Sequence, residues 1–534
     1  MFDAIKMPVR YAWNLKRFLQ QPLTPEECRQ RLEQQLQTRE ESFLRLLERG
    51  VFSNPGSPYR KLLRQAGVEF ADVAQLIQHE GIDGTLRCLY KAGVYISLDE
   101  FKGRRPIQRS GLHLSVQPQD FDNPLLARHY EAQTGGSRSV GNRVIIDLDL
   151  LTHEAAYVSM FLTAFMLADR PMGMWLPVPP AVAGMNIMLR HAKLGKLVEK
   201  WFTLNKLMVR HGTCKYFFFT NYTVYGSRLW GKPLAVPEYV PLAQASQVAR
   251  WLARKKEEGS PALLDTNPGS GVRVCLAAQE HRLDIAGTFF RFVGEPYTPA
   301  KARVVAATGS RAVNNYSMAE IGNIGIACAA PAELDDVHLL SDKLAVIQHN
   351  TPVGTSAMSV GALFYTTLLP SCPKIMLNVE SGDYGELGER SCGCLLEEVG
   401  FRQHLHTVRS YEKLTSEGMN FLGSQLVTLV EELLPSRFGG HPTDYQFVEE
   451  EDGGLPKVSI FVSPRVGAVD ETRLVSTVLQ ALRSQRSTEK MMAERWREGQ
   501  TLRVVRREPY ATAATKILAL HILQKRSSSS QHRK

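Results

Sequence analysis

The chain has 534 residues, a formal charge of +10, 44% hydrophobic residues and 22% charged residues. That length calls for two or three folding units with large cores, and eight cysteines spread over it exclude a disulfide scaffold. The basic residues form small scattered clusters (residues 102–105, 254–256 and 503–507) rather than one tract, so the charge suits phosphate-bearing small molecules such as a nucleotide or CoA, and no nucleic-acid partner is expected.

Taken in chain order, residues 1–17 lack the apolar run of a signal peptide. Residues 24–50 read as one helix, with Thr24 as N-cap, Pro25 in the first turn and Gly50 at the end. Residues 54–58 form a turn, and helical pattern resumes at 59–66 and 71–78. Residues 1–110 are therefore expected to be a helical extension belonging to a large N-terminal domain. The most apolar stretch, 155–167, is too short to span a bilayer and is soon followed by Asp169 and Arg170. It reads as a buried helix, no membrane span is expected, and a reducing cytoplasm is the expected location.

From about residue 130 to 390, short β-branched runs alternate with helical stretches. Strands are expected at 144–148, 272–277, 290–295, 313–316 and 374–379, which gives an α/β architecture. After Arg409 the order becomes helix (424–434), strand (458–462), helix (470–485) and strand (502–505). That reads as a compact α+β unit. The expected division is a core domain over 111–408 and a small C-terminal domain over 409–524. A basic, Ser-rich tail at 525–534 reads as disordered.

Residues 133–143, QTGGSRSVGNR, combine glycines, hydroxyls and arginines. Glycine lets a backbone approach phosphate closely, hydroxyls donate hydrogen bonds, and arginine supplies charge. The loop lacks the Gly-Lys-Ser/Thr ending of a P-loop. In residues 313–328, VNNYSMAEIGNIGIAC, a strand ends near Asn315 and delivers Tyr316, an aromatic ring suited to stacking on a base. Glu320 follows as a carboxylate suited to magnesium.

At this point a resemblance emerges. Tyr316-Ser317-Met318-Ala319-Glu320 resembles the Tyr-Gly-x-Thr/Ser-Glu motif of the adenylate-forming superfamily, and Gly294-Glu295-Pro296 resembles the strand end that precedes it. Glu380-Ser381-Gly382-Asp383-Tyr384-Gly385 resembles its Thr-Gly-Asp motif. Arg409, followed by Gly418-Met419-Asn420-Phe421, is similar to the ribose-contacting segment of phenylacetate-CoA ligases. Residues 509–517 (PYATAATKI) resemble Pro-x-Thr-x-x-Gly-Lys-Ile, with Lys516 at the catalytic lysine. The motifs follow the family's order from residue 134 to residue 517, and the nearest group resembled is the phenylacetate-CoA ligases.

The resemblance implies a large α/β domain with stacked sheets and a small mobile α+β C-terminal domain. It implies ATP-dependent conversion of a carboxylic acid to an acyl-adenylate, then transfer to CoA, with ATP, Mg²⁺ and CoA required. Thr134, Gly135, Gly136, Ser137, Arg138, Gly141 and Arg143 would hold phosphates, Tyr316 the adenine, and Asp383 and Arg409 the ribose. Glu320 would orient magnesium, and Lys516 would bridge carboxylate and α-phosphate as the catalytic residue. The sequence departs from the pattern at the phosphate loop, at Ala319 in place of a hydroxyl, at Tyr411-Glu412 in the hinge and at Thr515 before the lysine.

Cys392-Gly393-Cys394, with Cys328 and His338, makes a Cys₃His set of the kind that holds structural zinc, with His404 and His406 as further ligands in reserve. Two segments rich in aromatics and methionine, 172–180 and 216–225, suggest a pocket for an apolar aryl or fatty acid, or simply core. His191 and His211 are further pocket candidates. Two other functions compete with the CoA ligase: an acyl-AMP synthetase serving an acyl carrier protein or enzyme thiol, and a catalytically degenerate binding protein of the same fold.

Overall fold

The computed structural model describes residues 2–133, 143–204, 214–352, 359–410, 415–416, 419–420, 423–452, 455–483, 502–511, 517 and 519–522. The chain divides into two compact units, and the division falls between Arg409 and Ser410.

The first unit is α/β. Among the described residues, twelve strands join in one mixed sheet. Six run parallel, in the spatial order Pro237–Tyr239, Lys200–Thr203, Met172–Trp175, Leu263–Thr266, Phe289–Val293 and Arg311–Met318. Helices between them cover both faces, as parallel strands require. Alternate residues serve the two cores, because successive side chains on a strand point oppositely. Met174, Leu263 and Phe289 pack in the core with helices Leu148–Ala164 and Ala183–Lys193. Trp175, Leu264, Phe290 and Phe292 pack in the core with helices Ala245–Glu257 and Pro268–Glu280. Each such buried side chain stabilises the fold by about 1.5–3 kcal/mol. Gly173 is required between the two methionines, since a Cβ there would lie 2.6 Å from the Trp251 ring.

The remaining strands are antiparallel in the pairings described here. Arg311–Met318 carries the change of direction. Residues Arg311 to Asn315 pair in parallel with Phe289–Val293, whereas Tyr316 to Met318 pair antiparallel with Gly322–Ala327. A register shift between Tyr316 and Ser317 marks the change. Such irregularities re-aim side chains.

Several local expectations need correction. Residues 24–50 are two helices, Pro25–Gln37 and Arg39–Leu47, ending in a π-helical turn, Glu48–Phe52. Thr24 does cap the first, with Glu27 completing a capping box. Residues 272–277 lie in helix Pro268–Glu280 rather than in a strand. Its β-branched valines are outweighed by Pro268 at the first turn and by Glu295, whose carboxylate accepts from the Gly269 N–H at 2.9 Å. Of residues 374–379 only Val379 is in a strand, Val379–Glu389; Lys374 instead reaches the Pro118 carbonyl and Asp122, each at 2.7 Å. Residues 155–164 of the apolar stretch do belong to a buried helix, Leu148–Ala164, whereas 165–167 lie past its end and Met166 is 87% exposed. No described helix is long and apolar enough to cross a membrane.

The second unit is α+β. Strands Leu502–Arg506, Leu455–Val462, Tyr445–Asp452 and Leu520–Ile522 lie side by side in that order. Helix Glu471–Arg483 contributes Leu474, Val478 and Leu482 to a core shared with Phe447 and Ile460. Leu426, Leu429 and Leu434, on the helical run from Gly423 to Phe438, complete it.

Candidate active site and a cysteine–histidine cluster

The C-terminal ends of Phe289–Val293 and Arg311–Met318 deliver the first group of candidate residues. Tyr316, at the register shift, donates its hydroxyl to Asp383 Oδ2 at 2.8 Å, joining two motifs 67 residues apart. Tyr365, from the neighbouring strand Ser359–Thr367, donates to the Tyr316 oxygen at 3.3 Å. Burial, the Asp383 charge and Tyr365 together push Tyr316 far above the ordinary phenol range, so it stays a donor. Asp383 sits beyond Gly382, whose φ of +74° is the left-handed conformation that glycine adopts freely.

Arg409, on strand Gln403–Ser410, pairs with Asp335 Oδ2 at 2.8 Å. Glu320 is buried, and its Oε1 accepts from Lys102 Nζ at 2.7 Å. Burial pushes the Glu320 carboxyl up, but Lys102 outweighs it, and the net shift is downward. As arranged, that carboxylate carries an ammonium, so it does not fit magnesium unless Lys102 withdraws. Gly322, two residues on, has φ +93°, and a Cβ there would lie 2.0 Å from Glu154 Oε1. This close approach lets buried Glu154 take the Asn323 N–H at 2.7 Å while paired with Lys343 and Arg190.

Of the phosphate-loop candidates only Arg143 is described; Thr134, Gly135, Gly136, Ser137, Arg138 and Gly141 lie outside the described residues. Arg143 pairs with Asp122 and with Glu131, the latter at 3.3 Å. Each of these carboxylates also holds a second cation: Lys374 on Asp122 at 2.7 Å and Lys215 on Glu131 at 2.5 Å. Lys516 and the hinge residues Tyr411 and Glu412 also lie outside the described residues. The chain leading toward Lys516 is clamped at Tyr510. Buried Gln446 accepts from the Tyr510 N–H at 2.7 Å and donates to the Tyr510 carbonyl at 3.1 Å.

The four expected zinc ligands do meet. The donor atoms of Cys328, His338, Cys392 and Cys394 all lie within 4.8 Å of one another. Sγ of Cys394 is 3.0 Å, and Sγ of Cys392 3.6 Å, from His338 Nε2. His338 Nδ1 bonds the Phe401 carbonyl at 2.7 Å, which fixes the tautomer with the Nε2 lone pair facing the sulfurs. A tetrahedral zinc with bonds of about 2.3 Å to sulfur would set its donors about 3.8 Å apart, so the set fits the metal. Gly393 makes the tight Cys-Gly-Cys turn at φ +69°. Glu397 ties that turn, accepting from the Cys392 and Gly393 N–H groups at 2.7 and 2.6 Å and from Ser391 Oγ at 2.6 Å. The hydrogen bond from Cys328, with His338 behind it, holds the Cys394 thiol far below its ordinary range.

Of the reserve histidines, His404 lies beside this cluster, 4.2 Å from His338 between ring centroids and bonded to Asp336 at 2.8 Å. Cys328, Asp336 and His404 form a second close group. His406 turns to Thr407 and Glu386 instead. Lys102, Tyr365, Asp335 and Asp336 were not legible as site residues, because each meets its partner across a long stretch of chain and none sits in a motif. Residues Met172 to Val178 are sheet and core. Residues 216–225 belong to helix Cys214–Leu229, with Phe218, Tyr222 and Tyr225 exposed, so neither segment outlines an acid pocket. His191 is buried beside Arg291 at 3.0 Å, a structural position; His211 lies outside the described residues.

No family model and no curated protein matches the sequence. Among solved structures, the chain is similar to 2-hydroxyisobutyryl-CoA ligase in the postadenylation state in complex with R3-HIB-AMP, at 15% identity and a TM-score of 0.55. That match covers 94% of this chain and 90% of that one. The chain has the adenylate-forming fold. The same ligase in the thioesterification state, in complex with 2-HIB-AMP and CoA, gives a TM-score of 0.43 at 15% identity, covering 93% and 89%. Acetoacetyl-CoA synthetase from Streptomyces lividans gives 0.42 at 12%, covering 68% and 51%. At these identities the likeness is one of fold.

Proposed function

We propose that this chain activates a carboxylic acid with ATP and passes the acyl group to CoA. An oxygen of the substrate carboxylate forms a bond to the α-phosphorus of ATP, and the bond to pyrophosphate breaks. The thiol of CoA, losing its proton, then bonds to the acyl carbon, and AMP leaves. The observation that carries this reading is the 2.8 Å hydrogen bond between Tyr316 and Asp383, which unites the adenine and ribose motifs on a fold shared with a CoA ligase solved with an acyl-adenylate.

In this reading Tyr316 stacks on adenine, and Asp383 and Arg409 hold the ribose hydroxyls. Thr134, Gly135, Gly136, Ser137, Arg138, Gly141 and Arg143 take the phosphates. Lys516 neutralises the charge that builds on the phosphoryl oxygens. Glu320 takes magnesium only where Lys102 yields its oxygen. Cys328, His338, Cys392 and Cys394 hold a structural zinc, which when bound supplies a rigid cross-link between distant segments.

The test is ATP–pyrophosphate exchange against a panel of aryl and fatty acids, with and without CoA, for the wild-type chain and Lys516→Ala. Exchange with at least one acid is expected, with thioester appearing only when CoA is present. Lys516→Ala should lose about 10²–10³-fold in rate while melting like the wild type. Exchange with no acid defeats the reading. Exchange without CoA thioester moves the acceptor to a carrier-protein or enzyme thiol.

A further inference from the structure

Two neighbouring helices of the first unit, Phe2–Gln20 and Cys214–Leu229, share an outer face that no part of the site uses. They are locked together on the inside: Tyr11 bonds Thr223 at 2.8 Å, and the Tyr11 and Phe219 rings lie 4.9 Å apart. The Tyr222 hydroxyl reaches the Ala12 carbonyl at 3.4 Å, so the two outer faces are continuous. On this outer face the large side chains are apolar. Trp13 is 84% exposed, Leu229 84% and Phe218 66%, and Val9, Tyr222 and Tyr225 join them. Phe218, Tyr222, Tyr225 and Leu229 recur at helical spacing, as do Val9 and Trp13, which makes two stripes rather than scattered residues. A stripe of this size in water marks an interaction surface.

The charges decide what meets it. Arg10, Lys16, Arg17, Lys215 and Arg228 flank the stripes, and residues 7–20 and 214–230 contain no Asp or Glu. Arg228 lies over the Tyr225 ring at 5.0 Å, cation beside aromatic. Among the described residues, Lys215 alone of these cations has a carboxylate partner, Glu131. A second copy of the chain, docked about a two-fold axis, would set this cationic face against itself. An anionic lipid surface satisfies both halves of the pattern: aromatic rings settle at the headgroup level while Lys and Arg meet lipid phosphates. We propose that this face docks the protein, peripherally and reversibly, on an anionic bilayer.

The test is co-sedimentation of the full chain with vesicles of phosphatidylcholine alone and of phosphatidylcholine mixed with phosphatidylglycerol. Binding to the mixed vesicles only, weakened by salt, is expected. Lys16→Ala with Arg17→Ala should lower the affinity about 25-fold, at roughly fivefold for each surface charge. Trp13→Ala with Phe218→Ala should lower it about tenfold or more through lost apolar burial, with thermal melts checking that both pairs fold. Equal binding to neutral vesicles, no binding to either, or binding untouched in both variants overturns the proposal. So does a concentration-dependent dimer in light scattering that Trp13→Ala with Phe218→Ala abolishes, which would give the face to a second copy.

Discussion

The cysteine–histidine cluster and the residues proposed to bind the nucleotide differ in how their groups are held. In the cluster, the supporting bonds aim the ligands at one another: the Phe401 carbonyl turns the His338 lone pair toward the sulfurs, and Glu397 folds the Cys-Gly-Cys turn. Among the described residues proposed to bind the nucleotide, Glu320 has Lys102, Arg409 has Asp335 and Asp383 has the Tyr316 hydroxyl. The first arrangement is finished before a ligand arrives. The second is balanced, and a ligand must exchange partners to enter. The lesson is that preorganisation of the first kind favours a permanent occupant, while the second favours one that comes and goes.

The comparison breaks most visibly at the cluster. Cys392→Ser with Cys394→Ser should remove one zinc per chain by metal analysis and lower stability by ~3 kcal/mol or more in chemical unfolding. A wild-type protein that carries no zinc and unfolds where the double variant does would erase the distinction. The nucleotide side is sharpened by calorimetry with ATP. Asp383→Ala should weaken ATP by about 10–100-fold, the loss of charge-assisted bonds to the ribose. Tyr316→Phe keeps the ring and removes only the donor to Asp383, so it should weaken ATP by less than about tenfold. If both cost the same, the carboxylate acts through Tyr316 and not on the ribose.

A separate break concerns Lys102→Met. Glu320 has its folded-state pKa below the ordinary 4.5, so its pairing stabilises fully above pH 4.5 and is lost as pH falls through the depressed value. The variant should therefore be less stable than wild type by ~1–3 kcal/mol at neutral pH, since a buried carboxylate loses its cation. That gap in urea midpoint should close in acid. A gap that stays open there would mean that Lys102 contributes packing rather than charge.

Much of this was readable from the chain alone. The N-cap at Thr24 is a local code, and so is the Cys-x-Cys turn. The α/β alternation followed from periodicity. Cys328 and His338 could be joined to Cys392 and Cys394 because thiolates and imidazole suggest a common metal. What failed was local propensity judged against distant contacts. Val272 and Val274 favour strand, yet Glu295, from another strand end, fixes the N-terminus of the helix that holds them. Lys102 and Glu320 are 218 residues apart, and no spacing rule links them. Residues 216–225 looked like pocket material because aromatic residues are ambiguous between core, pocket and surface until a helix assigns them a face.

One arrangement separates Arg143 from the other charged candidates. Its two carboxylates each keep another cation when it is removed, Lys374 for Asp122 and Lys215 for Glu131. Arg143 is thus the redundant member of a five-residue ionic chain. It can swing onto an incoming polyanion without stranding a negative charge behind it, whereas Lys102 can leave Glu320 only if something positive takes its place. The first exchange follows the anion alone. The second requires that anion and cation arrive together, which is how a nucleotide carrying its own metal presents itself.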